Sequence, residues 1–402
     1  MPADVSSVLL VTPRWTRDGG VAAHVISSAT ALARHGVDVS VLAARIDSTE
    51  PVQGVTLFHS PELFNERASD AMRFGEAMSS GPTIVHLHQF DDPDAVAAMQ
   101  RRAPVVLSVH GYLACTSGVH YFRPGHECQR AHGLGCIPNL VACGHTSDPL
   151  RLPGAYIKAS RSLATLRRAD LAVSYSSTID RHLAVNGITR RKVIPLFSTM
   201  TPASGSGHET RRRVVFAGRV VLPKGIAVLV RAAPAVDAEF VVCGDGWRLE
   251  QMRQLARRLG VEQRIRFTGW LGGEELAREL AEASVVAVPS IWPEPFGLVG
   301  IEAFAAGRPV VASATGGMSD WLEDGVNGLS AKPGDPSALA DALNELLGDP
   351  ARQQSMGNAG RQMAAARFSR ERHVTGLLDA YAQARSNWES ARAGNPQLSF
   401  CQ

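Results

Sequence analysis

Two glutamates, Glu294 and Glu302, stand eight positions apart in the stretch Pro289-Ser-Ile-Trp-Pro-Glu-Pro-Phe-Gly-Leu-Val-Gly-Ile-Glu302. An apolar strand expected over Val285–Val288 runs into a proline-broken loop that carries Glu294, and a helix is expected to open near Phe296 and Gly297. One carboxylate therefore stands beside a helix N-terminus and the other lies about a turn and a half inside the helix. Between them, the backbone N–H groups of Gly297 and Leu298 belong to the positive end of a helix dipole, a place suited to a diphosphate. Carboxylates on either side can accept hydrogen bonds from sugar hydroxyls. The pattern implies a nucleotide-sugar site.

A second constellation supplies the positive charge. Phe216-Ala-Gly-Arg219-Val-Val-Leu-Pro-Lys224-Gly225 reads as a strand end, a turn and two cations, with a helix after Gly225. Arginine offers a planar fork and lysine a point charge, a combination that fits a diphosphate. Near the N-terminus, Gly19-Gly20-Val21 opens the first helix after the first strand, and glycine lets backbone approach a phosphate closely. Val109-His110-Gly111 ends another strand, where an imidazole can meet the transferred sugar or the acceptor. His24, His86 and His88 read as packing or surrounding residues.

The wording around Glu294-x7-Glu302, continued by Gly307-Arg308-Pro309-Val310-Val311, resembles the signature of retaining family 4 glycosyltransferases with the GT-B fold. The resemblance implies two Rossmann-like, doubly wound α/β domains facing a cleft, with a C-terminal helix crossing back to the N-terminal domain. It implies that Glu294 holds the donor sugar, Glu302 the ribose, and Arg219 with Lys224 the leaving diphosphate. The resemblance also implies that Gly20 reaches the donor, and Trp270, after Phe267-Thr-Gly269, stands where the family contacts the nucleotide base. His110 matches a His-Asp pair of many relatives, whereas Gly111 does not. Ala22 and Ala23 likewise stand where many relatives carry an acidic residue. No cofactor is required for transfer on this reading, because Arg219, Lys224 and the helix dipole do the work of a divalent ion.

One feature lies outside that pattern. Cys115, Cys128, Cys136 and Cys143 fall in a Gly- and His-rich segment after His110. Four thiolates, or three with an imidazole, are a candidate structural zinc site; unlinked thiols and disulfides are the alternatives. Residues 151–168 pattern as a basic amphipathic helix, with Arg151, Lys158, Arg161, Arg167 and Arg168 among Tyr156, Ile157, Leu163 and Leu166. Such a helix fits either a solvated face or peripheral contact with an anionic membrane.

The bulk of the chain bounds these readings. Its 402 residues predict two or three domains, and a composition of 45% hydrophobic and 20% charged residues is that of an ordinary globular protein. A net charge of +3 and the absence of a recognition motif argue against a nucleic-acid partner. Met1–Ser7 lacks the pattern of a signal peptide and no apolar run reaches membrane-spanning length, so the expected location is cytoplasmic, or peripheral at the inner membrane face. Strands are expected at Val8–Val11, Val37–Ala43, Ile84–Leu87, Val105–Val109, Leu171–Ser174 and Lys192–Leu196, with helices between most of them.

A polar, Gly- and Ser-containing linker follows, then a second alternation beginning at Arg213. The domains are read as 1–197, acceptor-binding, with a Cys-rich loop at 111–150; 212–368, nucleotide-sugar-binding; and a crossover helix at 369–388. The function read from this is retaining transfer of a sugar from a nucleoside diphosphate sugar to a hydroxyl acceptor, in polysaccharide, glycolipid or natural-product biosynthesis. A nucleotide-sugar-binding protein without turnover, or a sugar synthase or phosphorylase on the same fold, are the alternatives. A Rossmann oxidoreductase is excluded by the missing G-x-G-x-x-G fingerprint.

Overall fold

The computed structural model describes residues 5–16, 19–48, 50–61, 81, 83–115, 121–123, 126–128, 130–139, 150, 152–198, 200 and 212–393. The expected linker falls almost wholly outside them, as does Cys143. The chain divides into two compact units. Unit 1 comprises 1–119, 129–195 and 370–402, and unit 2 comprises 120–128 and 196–369.

Unit 1 is built on a seven-stranded sheet, ordered β3-β2-β1-β4-β5-β8-β9 and parallel throughout. Its strands are β1 Ser7–Trp15, β2 Asp38–Ile46, β3 Val55–His59, β4 Ile84–His88, β5 Val105–Val109, β8 Leu171–Ser174 and β9 Arg191–Val193. The short β6 Tyr121–Arg123 and β7 His126–Glu127 pair antiparallel and group with unit 2. Continuous apolar runs such as Val8-Leu9-Leu10-Val11 are buried on both faces, as a helix-covered parallel sheet requires. The last strand is shorter than its sequence implies. Ile194 still donates to Ser174, but Pro195 has no N–H to continue the ladder. Helix α1 (Gly20–Arg34) covers β1 and β2, and α2 (Pro93–Gln100) is capped by Asp92, which accepts from the N–H groups of Asp94 and Ala95. Helix α3 (Leu152–Arg168) buries Leu152, Ala159, Leu163 and Leu166, and leaves Ile157, Lys158, Arg161, Arg167 and Arg168 exposed. α4 (Ser177–Val185) follows β8.

Unit 2 carries a six-stranded parallel sheet ordered β12-β11-β10-β13-β14-β15. These strands are β10 Arg213–Ala217, β11 Glu239–Cys243, β12 Ile265–Gly269, β13 Val285–Val288, β14 Val310–Ala312 and β15 Gly328–Ser330. Helices α5 (Ile226–Ala232), α6 (Leu249–Arg258), α7 (Gly273–Glu282), α8 (Leu298–Ala305), α9 (Pro336–Leu347) and α10 (Pro350–Arg367) alternate with them or follow. Thr315-Gly-Gly317 leads into a short 3-10 turn over Gly317–Asp320. The final helix, α11 (Arg370–Ala393), belongs to unit 1, where it packs on β5, β8 and α1 through Val374, Leu377, Ala380, Tyr381 and Ala384. No helix among the described residues is long and apolar enough to cross a membrane.

Both sheets reverse their strand order at one point: between β1 and β4 in unit 1, and between β10 and β13 in unit 2. In open α/β sheets, ligands bind outside the carboxyl ends of the strands at such a switch point. In unit 2 the switch is held closed by a tight backbone contact. Gly225 has φ 68°, and a Cβ there would overlap the carbonyl oxygen of Pro289, while the Ile291 N–H donates to Pro223 O at 2.9 Å. The loop after β10 thus lies directly against the loop after β13. Gly225→Ala should lower the chemical-denaturation midpoint by an amount equivalent to about 2 kcal/mol, from a strained φ plus a forced loop separation. An unchanged midpoint would show that the two loops do not meet so closely.

Candidate active site

The carboxyl edge of the unit 2 sheet assembles the residues that the sequence singles out. Lys224 ends a 3-10 turn after β10, and Glu294 lies in the loop after β13. The Lys224 Nζ donates to Glu294 Oε1 at 2.7 Å and to Oε2 at 2.9 Å. Glu294 is 2% exposed, yet well satisfied: Ser290 Oγ donates to Oε1 at 2.6 Å and Trp292 Nε1–H to the same oxygen at 2.9 Å. Oε1 therefore receives three donors and Oε2 one. With roughly four acceptor sites across a carboxylate, Oε2 is the oxygen left for a ligand hydroxyl. The backbone of Glu294 is fixed as well, since its carbonyl accepts from Gly317 N–H at 2.6 Å and it bridges Gly316.

Other groups in the segments that follow β10 and β13 are uncommitted. The exposed guanidinium of Arg219 makes no hydrogen bond or ion pair among the described residues, and the N–H groups of Gly297 and Leu298 have no acceptor there. Gly297, at φ 81°, starts α8 without a side-chain cap, so its free donors remain open to an anion. The side-chain carboxyl group of Glu302, the fifth residue of α8, has no protein partner among the described residues. The residue is half-buried, and desolvation of its carboxyl group pushes its pKa up to about 7. A carboxyl group short of donors in a dry place is suited to bind hydroxyls.

Trp270 follows β12 and is 49% exposed. The structure adds Trp247, which is 66% exposed and carries the Arg248 guanidinium 4.9 Å from its ring centre. Its loop is tied to the Arg219 loop, with Val220 N–H donating to Asp245 O and Arg248 N–H to Val220 O. Ser290, Trp292 and Trp247 were not singled out from the sequence. The first two lie four and two positions before Glu294, a spacing that by itself does not show which way their side chains turn.

In unit 1, Gly20 begins α1 after Gly19, whose φ of 89° only glycine adopts readily. His110 stands at the carboxyl end of β5 and its Nε2 lies 2.9 Å from His88 Nδ1. His24, His86 and His88 are buried around it, and α11 adds His373 and Tyr381. Burial lowers the pKa of all five imidazoles. His110 and His86 fall to about 3, His373 to about 4, and His24 and His88 well below the ordinary value. The cysteines behave differently from the carboxylates. Cys136 donates to Ala131 O at 3.9 Å, and among the described residues no three His, Cys, Asp or Glu side chains are grouped to hold a metal ion; Cys143 lies outside those residues.

Comparison with known proteins agrees with this architecture. Residues 202–363 match the family described as glycosyl transferases group 1, and residues 18–196 match Glycosyltransferase Family 4. A D-inositol 3-phosphate glycosyltransferase from Xylanimonas cellulosilytica is 30% identical, over 91% of this chain and 92% of its own. The chain is a family 4, group 1 glycosyltransferase. Its GT-B fold is shared with sucrose-phosphate synthase from Thermosynechococcus elongatus, at 21% identity and a TM-score of 0.71 over 94% of this chain and 98% of that one. Anabaena HepE in complex with UDP and glucose aligns at 19% identity and a TM-score of 0.68, over 94% and 99% of the two chains.

The buried imidazoles of this glycosyltransferase make unit 1 acid-sensitive. A histidine whose folded pKa is depressed stabilises the fold in full above its unfolded value of about 6.5, and that contribution is lost as pH falls toward the folded value. The unfolding free energy should therefore fall between about pH 7.5 and pH 5.5, by up to about 1.4 kcal/mol per imidazole per pH unit below 6.5, and the melting temperature should fall with it. A melting temperature constant over that interval would mean that the cluster is not held neutral.

Proposed function

We propose that this glycosyltransferase moves a sugar from a nucleoside diphosphate sugar to a hydroxyl acceptor with retention of anomeric configuration. The observation that carries the proposal is the Lys224–Glu294 pair, in the same unit as an uncommitted Arg219 and the open N–H groups of Gly297 and Leu298. Arg219, Lys224 and the start of α8 take the diphosphate, Glu294 Oε2 takes a sugar hydroxyl, Glu302 takes the ribose, and Trp270 lies against the base. As the bond from the anomeric carbon to the phosphate oxygen breaks, negative charge gathers on the leaving diphosphate, where these donors already stand. The acceptor oxygen bonds to the anomeric carbon from the same face and its proton passes to the departing phosphate oxygen. His110 contacts the sugar or the acceptor. The charge balance is met by protein cations, so transfer proceeds in the presence of a chelator.

Uridine is the first base to test, because HepE structures hold UDP and UDP-glucose. An inositol phosphate is the first acceptor, because several relatives are D-inositol 3-phosphate glycosyltransferases. With a working donor and acceptor, Glu294→Gln and Lys224→Ala should each lower turnover by about two orders of magnitude while the purified variants remain folded. Near wild-type turnover at saturating donor in either variant sinks the donor-site assignment. A product of inverted configuration, read by proton NMR of the anomeric centre, sinks retention.

The raised pKa of Glu302 gives an independent readout. Hydroxyls donate to the ionised carboxylate, so donor affinity should increase as pH rises through about 7, with up to about tenfold weaker binding one unit below. Calorimetric titration with UDP at pH values on either side of 7 measures this. The pH-dependence specific to Glu302 should vanish in Glu302→Gln; an identical slope in that variant assigns the proton elsewhere.

A further inference from the structure

The geometry points to His88 as the residue that fixes the proton of His110, so that His110 offers Nδ1–H as a hydrogen-bond donor to a substrate oxygen and does not take a proton from it. The nature of that oxygen, a sugar or acceptor hydroxyl, rests on the proposed transfer; the tautomer rests on bond geometry alone.

His88 Nδ1 and His110 Nε2 lie 2.9 Å apart, so one of them carries the shared hydrogen. His88 is completely buried, and its Nε2 has no hydrogen-bond partner among the described residues. If His110 Nε2–H were the donor, the proton of neutral His88 would sit on Nε2 and bury an N–H with no acceptor. If His88 Nδ1–H is the donor, Nε2 is left as a bare lone pair. Orphaned buried donors are the rarer of the two defects, so the second arrangement prevails. His86 cannot relieve the orphan atom. It packs 4.4 Å from His88 between ring centres, but its Nδ1 meets Tyr381 Oη at 2.9 Å and its Nε2 meets Ser108 Oγ at 2.7 Å.

With Nε2 accepting from His88, the proton of neutral His110 lies on Nδ1, the nitrogen that no described residue engages. The rings facing His110 are His24 on α1, His88 on β4 and Tyr175 after β8, with His86 and His373 behind them. None is a carboxylate that could stabilise an imidazolium. Burial opposes a second proton on His110 as well. A ring that already holds its proton on the open nitrogen, and resists another, donates and does not act as a base. His88 is thus a positioning residue for His110.

The test begins with the full chain, labelled with nitrogen-15 histidine and free of donor, by long-range proton–nitrogen correlation spectra at neutral pH. His110, assigned by signal loss in His110→Asn, should be the Nδ1–H tautomer. The Nε2–H form or an even mixture overturns the inference. In folded His88→Leu, the His110 signals should move to a mixture of tautomers and kcat should fall about tenfold, with KM nearly constant. An unchanged His110 spectrum there removes His88 from the role. In the transfer assay, His110→Asn keeps an N–H near the Nδ1 position and should stay within about tenfold of wild type, while His110→Ala falls about a hundredfold. An Asn variant as impaired as the Ala variant overturns the donor role. The spectra need no substrate, so a failure of the proposed transfer leaves the tautomer result readable on its own.

Discussion

A carboxylate taken out of water has to be neutralised where it stands, and in unit 2 this falls to a single lysine. Glu294 is almost wholly buried, and Lys224 reaches it from the neighbouring loop with both carboxylate oxygens in range. Removing one member of such a pair leaves an uncompensated charge, a defect of about 3–5 kcal/mol when buried. The local fold is arranged around that need. Gly225 lets the lysine turn approach the β13 loop, Ser290 and Trp292 share the carboxylate, and Gly316 admits the Glu294 backbone where a Cβ would meet it. The strand-order reversal between β10 and β13 opens the edge at which all of these meet.

Unit 1 handles buried polarity by the opposite means. It uses neutral rings: five imidazoles with Tyr175, Tyr381, Ser28 and Ser108, joined by hydrogen bonds and edge contacts. Neutral groups need far less compensation than ions, but each nitrogen has to be either donor or acceptor. The network therefore stores directional information in its protons, whereas the unit 2 site stores charge. α11 takes part in both the packing and the polarity of unit 1, because it brings His373 and Tyr381 to the same core.

Much of this was legible in the sequence because it is local. The apolar runs at Val8–Val11 and Val285–Val288 show as strands, since no polar residue interrupts them on either buried face. Glu294, Lys224 and their glycines show because the turns that carry them need particular residue types. β3 and β15 were missed; Val55–His59 is only half-buried and Gly328–Ser330 spans three residues, so neither has a strong pattern. The imidazole cluster was illegible for a different reason. His24, His86, His110 and His373 come from α1, β4, the end of β5 and α11, and only tertiary packing makes them neighbours. Likewise, nothing in the one-dimensional pattern says that Ser290 and Trp292 turn toward the same carboxylate oxygen.

The unit 2 site is internally compensated by its own lysine and glutamate, and this bears on what can enter it. An anion that recruits Lys224 draws it from Glu294, so the carboxylate loses its counter-ion unless the same ligand returns donors to it. Inorganic phosphate brings negative charge and little else. A diphosphate that ends in a polyhydroxylated ring brings an anion for the lysine and hydroxyls for Oε2 in one molecule. Discrimination then comes from the exchange itself: the ligand that leaves no unmet charge behind is the one the site can hold.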